Sequence, residues 1–319
     1  RAGFGLYSGG NPNVWVSNAY QNDGVTQIGL QERGVNLFDL AYTNGGTPGY
    51  EVPQFMFDEI QNTPAGEGDA SVNVVDPNFE IPSEWKYSVG ATYTFENDYV
   101  LNLDVLHTQK QDSAIIRDIA LRESGETTFD GRPIMESIEG RNSEYMLTNV
   151  QGNDGVSTIL SAALSKSFDN GVDMTVAYSY TDSEDVNPMT SSVAGSNYGN
   201  LATINPANPG KATSDYEVQH RFTFRLGYSH EFFDGYATRF NLRGEASEGL
   251  PYSYTFNRSD SAFGDSNWNG SRQLLYIPLE SDANVVYDMP ADELAAFNQF
   301  IEDENLERGS IRSRNSESA

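Results

Sequence analysis

Any chemistry in this chain must come from carboxylates, guanidinium groups, amides and rings, because cysteine is absent and only three histidines occur. Without cysteine there is no thiolate nucleophile, thiolate metal site or disulfide framework. His107, His220 and His230 are far apart and fall in or beside alternating segments, where packing or an interfacial position is the expected role. No Gly-x-Ser-x-Gly elbow and no phosphate-binding loop occurs. Gly3-Phe4-Gly5 followed by Gly9 has the wrong spacing for a dinucleotide fingerprint, and the segment reads as strand without a following helix. Carboxylates are too plentiful for any pair to single out glycoside hydrolysis. An enzyme is the least favoured class.

Asp265-Ser266-Asn267-Trp268-Asn269-Gly270 matches the first half of a calcium loop, with Asp265, Asn267 and Asn269 as oxygen donors. Its twelfth position is Tyr276 in place of the bidentate Glu, so a polar turn is the expected state and no resident cofactor is expected. What remains is recognition. Arg225, Arg239, Arg243 and Glu245 lie on alternating segments, with the rings Tyr252, Tyr254 and Trp268 beyond them. Such groups hold a peptide or glycan by hydrogen bonds and stacking. The competing reading is that the arginines only pair with acidic neighbours.

The elements that must position these residues are long strands. From Trp85 to Phe95 the odd positions are Trp, Tyr, Val, Ala, Tyr and Phe, and the even ones are Lys or small and polar. That is the period-2 signature of a strand with two unlike faces. After Glu96-Asn97-Asp98 it resumes with Tyr99, Leu101, Leu103 and Val105. A second pair, Leu160 to Phe168 and Val172 to Tyr180, is joined by Asp169-Asn170-Gly171, a strong hairpin signal. A third runs from Phe222 to Phe232 and returns through Phe240 and Leu242. The opening stretch Gly3 to Val16 also reads as strand, and Asp288 to Gly309 is the only clear helical stretch, with Leu294, Phe297 and Ile301 in a stripe.

Rings flank each tight turn, and the polar face carries charge in mid-strand, as a water-filled lumen would. The strands run to about 12 to 16 residues, against roughly 5 to 6 in ordinary soluble sheets. Long polar connections, approximately 17–83, 109–156, 182–217 and 249–319, gather at the opposite end from the tight turns. The expected fold is all-β: part of an antiparallel up-and-down transmembrane β-barrel of about seven long strands, with short periplasmic turns and long extracellular loops.

Charge narrows the partners. There are 19 Lys and Arg against 46 Asp and Glu, a net −27, so nucleic acid is not an expected partner. The acidic excess sits largely in the long connections, as in Asp182, Glu184 and Asp185. Loops of that sign meet lipopolysaccharide phosphates only through divalent cations. Aromatics make up 12% of the residues, too many for a disordered chain.

Several segments resemble the barrel of a TonB-dependent outer-membrane receptor of the Oar-like type. They are 3–18, Val218-Gln219-His220-Arg221, Pro251-Tyr252-Ser253-Tyr254-Thr255-Phe256, Arg272-Gln273-Leu274-Leu275-Tyr276-Ile277-Pro278 and Arg308 to Asn315. The resemblance implies a bacterial outer-membrane location and contact with its lipid and lipopolysaccharide. It further implies transport of an external ligand through a plugged barrel, powered by the TonB complex acting on the plug. No plug, TonB box or terminal aromatic strand is visible, so the chain is expected to be an internal piece of a larger barrel. A surface platform for adhesion or assembly, and a soluble secreted polysaccharide-binding β-protein, are the alternatives.

Overall fold

The computed structural model describes every residue except 11, 22, 24–33, 65–71, 139–142, 153, 257–271 and 319. Strand, at 46%, far outweighs helix, at 16%. The main sheet has eight strands, seven of them side by side in chain order: β1 (Ala2–Ser8), β2 (Ser83–Thr94), β3 (Val100–Gln111), β4 (Val156–Ser167), β5 (Val172–Asp185), β6 (His220–Phe233) and β7 (Tyr236–Ser247), with the short Ala212–Thr213 pairing on the end of β5. Every neighbouring pair is antiparallel, so the expected up-and-down order is present. The sheet is open: among the described residues nothing pairs with the outer edge of β1 or β7 along this path.

The tight turns follow from their residues. Between β4 and β5 the Phe168 N–H donates to Val172 O at 2.8 Å, and Gly171 takes φ +84°. A Cβ there would come within 2.2 Å of Ser229 O on β6, so glycine serves both the turn and the neighbouring strand. Asp98, at φ +65°, makes the corresponding turn between β2 and β3.

Register places the alternating positions on common faces. Phe4 lies opposite Tyr87, Val89 opposite Val105, Val105 opposite Leu160, Val176 opposite both Leu164 and Phe224, and Leu226 opposite Leu242. One face of the whole sheet is therefore a continuous field of aliphatic and aromatic side chains. Not one apolar side chain on the seven strands is buried, and Val89 is 62% exposed.

The buried core lies elsewhere, in the long connections. Ala114–Asp118, Glu144–Asn149 and Val72–Val75 form a small sheet, the last strand pairing in parallel. Its Ile116, Tyr145 and Leu147 pack with Leu121, Met135 and Tyr198. A smaller cluster joins Ile277, Ile301 and Leu306. These segments form a folded cap at the end of the sheet opposite the tight turns.

Two expectations need correction. The opening strand stops at Ser8, and residues 13–21 form the helix α1 (Asn13–Gln21). Pro12 starts it, its carbonyl accepting from the Trp15 and Val16 amides at 3.0 Å. The Trp15 indole donates to Ser191 O at 2.9 Å, and buried Asn18 donates to Ser192 O at 2.8 Å. Docking on the cap decides this segment against its strand-like composition. The helix over 291–303 also has companions, since α2 (Gln54–Asn62) and α3 (Ala194–Gly199) precede α4 (Ala291–Asp303). Along α4, buried Ile301 and Phe297 pack on the cluster with Ile277, so the expected stripe faces the loop beneath it. Gly309, at φ +77°, lies beyond the helix in the turn before Ser310–Ile311.

Candidate functional site

The four charged residues singled out in the sequence share the polar face of the last hairpin. Arg225 lies opposite Arg243, Glu245 opposite Thr223, and Arg239 opposite Ser229. Arg225 donates to the Asn241 side-chain oxygen at 3.2 Å and stands 3.9 Å from Asp173 on β5. Glu245 is 3.2 Å from Arg221 and 3.9 Å from Arg243. Arg225 and Arg243 thus have the acidic neighbours that the competing reading requires. At these exposures such pairs contribute about 0–1 kcal/mol each and leave the groups free to exchange partners. Gly227 and Gly90 create room on this face: a Cβ at either would meet the carboxylate of Asp173 or Asp104 within 2.3 Å.

The rings sit differently. Tyr252 and Tyr254 stack edge-to-face with centroids 5.5 Å apart, and Tyr254 packs in turn on Phe300 of α4 at 5.1 Å. The neighbouring Tyr252 hydroxyl and partial burial push the Tyr254 hydroxyl above its ordinary range. Trp268 and the calcium-loop residues Asp265, Asn267 and Asn269 lie outside the described residues. Among the described residues no group of three or more His, Asp or Glu side chains could hold a metal ion. His107, His220 and His230 lie on the apolar face beside Tyr87, Tyr178 and Tyr228.

Where the strands enter the cap, a buried polar junction forms. Asp185 ends β5 with its carboxylate 2.9 Å from Arg314 and 3.9 Å from Lys110 of β3. Arg314 also reaches Asp215 at 3.6 Å, while its Nη1 has no hydrogen-bond partner among the described residues. Next to it, Asn315 donates to Thr213 O at 2.8 Å and its amide N–H to Ser253 Oγ at 2.7 Å. Arg314, Asn315 and Asp215 line a cavity of about 230 Å³ together with Thr190, Asn197 and Asn200 from the segment around α3. The sequence contained this site only as Arg314-Asn315 at the end of a resembling segment, with no pattern linking it to Asp185 or Asp215.

Two carboxylates at the same end are held out of water. Asp154 accepts from the Ser113 amide at 2.7 Å, and burial raises its pKa above the usual carboxylate value. Burial likewise raises Glu217, with Asp182, Glu248 and Glu184 adding to the effect, against the Ser183 amide that donates to it. A raised native pKa means the neutral form is favoured by folding. Its stabilising contribution is full below the unfolded-state value of about 4.3 and is lost as pH rises through the native value. Glu217→Gln keeps the acceptor for Ser183 and removes the charge. It is therefore expected to melt higher than the parent at neutral pH, with the gap closing as the buffer is taken below pH about 4. Melting curves across that pH range check this, and a gap that widens toward acid would refute it.

Comparison with protein-family models, curated proteins and solved structures found no match to this chain.

Proposed function

We propose that the seven strands are part of the wall of a transmembrane β-barrel in a bacterial outer membrane, and that the barrel takes up an external ligand by TonB-dependent transport. The observation that carries the membrane reading is the inverted placement of apolar residues: the caps and loops own the buried core, while the strands display theirs outward. In water, an uncovered apolar field across seven strands far exceeds the few hundred Å² a soluble monomer tolerates. In lipid the same field is the favoured surface.

Two rings of aromatic residues border that field. Trp85, Tyr87, Tyr178 and Tyr180, with His107 and His220 among them, lie toward the cap. Tyr93, Phe95, Tyr99, Phe168 and Phe232 lie at the tight turns, where the Lys166 ammonium sits 4.6 Å and 4.9 Å from the Tyr99 and Phe168 rings and donates to Asn97 O. Lysine in this position extends its stem along the apolar wall and keeps its charge at the water boundary. Trp85 and Phe95 are ten residues apart, or ~33 Å along the strand at ~3.3 Å per residue; a tilt of ~40° reduces this to ~25 Å, the height of an outer-membrane apolar band. The polar, charge-bearing opposite face suits a water-filled or plugged lumen. The uptake step rests on the resembling segments, including Val218 to Arg221 and Arg272 to Pro278.

Fluorescence tests the membrane reading. Leu103→Trp places an indole on the apolar face, and Ser161→Trp places one on the polar face. With the whole chain in vesicles of lipids brominated at mid-chain, the added emission of Leu103→Trp is expected to be quenched and that of Ser161→Trp spared. Equal quenching of the two, or a chain that stays monomeric in buffer without detergent, would contradict the reading. For transport, ligand accumulation that persists in cells lacking TonB would leave a surface platform as the better description.

A further inference from the structure

The cavity beside Arg314 has the makings of a ligand site, and its chemistry is specific. We propose that it receives one ring of a neutral, hydroxyl-rich ligand, a hexose unit at the end of a glycan. Its volume of about 230 Å³ is on the scale of a single sugar ring. It has no aromatic lining residue, and only Pro188, Leu201 and Ala202 are apolar, which gives an aliphatic or aromatic side chain little to pack against. Thr190, Ser196, Asn200 and Thr255 face it with no side-chain hydrogen bonds to described residues, so their hydroxyls and amide are available.

The charges on the floor are balanced. Arg314 is 95% buried as a side chain and is held to Asp185 through Nη2, leaving Nη1 beside the half-exposed carboxylate of Asp215 at 3.6 Å. A ligand carboxylate would be repelled by Asp215, and an ammonium by Arg314 and the nearby Lys110. A hydroxyl fits, donating to the half-exposed Asp215 carboxylate that stands before the buried guanidinium. This inference depends on the receptor reading for the side from which the ligand arrives, and on the cavity alone for the chemistry.

Calorimetric titration of the full chain in a non-glycosidic detergent tests it. The probes are methyl glucoside, methyl galactoside and methyl mannoside, with glucuronate and trialanine for comparison. At least one neutral hexoside is expected to saturate with a Kd of about 1 mM. Asp215→Ala should weaken it about tenfold. Asn200→Trp, at an exposed rim position, should abolish it while circular dichroism and melting stay unchanged; Thr190→Trp replaces it if that variant misfolds. The proposal is overturned if no neutral hexoside saturates, if glucuronate or trialanine binds more tightly, or if the rim tryptophans leave binding intact. None of these outcomes bears on quenching by brominated lipid, so a failed sugar site is distinguishable from a failed barrel.

Discussion

Val89→Arg is expected to cost about 2–4 kcal/mol of stability in a bilayer and to deplete the chain from the outer membrane, because it places a guanidinium near the middle of the apolar band. Val89 lies opposite Ala2 and Val105, four residues from Trp85 and six from Phe95. Its 62% exposure makes the prediction sharp. If water faced that surface, the same change would stay within about 0.5 kcal/mol, as exposed substitutions usually do. The neighbouring Ser88→Arg points to the other face and is expected to be tolerated. Urea unfolding of both variants in vesicles, beside immunodetection in membrane fractions, separates the cases. Indistinguishable behaviour of the two arginines would remove the asymmetry on which the membrane reading stands.

Asp185→Ala should destabilise the cap by about 3–5 kcal/mol, because it removes the close, buried carboxylate partner of Arg314 and leaves the guanidinium only the longer 3.6 Å contact to the half-exposed Asp215. The pair connects the last residue of β5 to a segment 129 positions away, so its loss frees the 310–318 stretch from the sheet. Limited proteolysis at Arg312 and Arg314 reads that release directly, with cleavage faster in Asp185→Ala than in the parent. Asp185→Asn, which retains an acceptor, should fall between the two. The double variant Asp185→Ala/Arg314→Met should lose less than the sum of the single changes, since no buried charge is then left alone. Additive losses would mean that the two side chains act independently.

Both experiments turn on residues whose visibility in the sequence differed sharply. Val89 could be assigned to a face from its neighbours alone, since Trp85, Tyr87, Ala91 and Tyr93 repeat at period two. Asp185 could not be assigned a partner, because nothing local distinguishes it from Asp182 or Glu184, and Arg314 lies at the far end of the chain. The helix at 13–21 escaped for a related reason: Val14, Trp15 and Val16 satisfy either element, and the hydrogen bonds from Trp15 and Asn18 to 191–192 decide between them. Arg225, Arg239, Arg243 and Glu245 were placed on one face correctly because a hairpin's register follows from its turn.

The sequence by itself determined the seven-strand meander, the polarity of its two faces and the turns that reverse it. Those features depend on residues two apart along a strand or joined through a short turn, and side-chain alternation fixes them locally. Only the tertiary structure decided that the long connections fold into a cap with its own core, that Val72–Val75 pairs in parallel with Glu144–Asn149, and that Arg314, held by Asp185, lines a polar cavity with Asp215. These contacts bring together segments tens to more than a hundred residues apart. Their stability comes from burying mixed apolar and charged groups jointly, which no single segment's composition records.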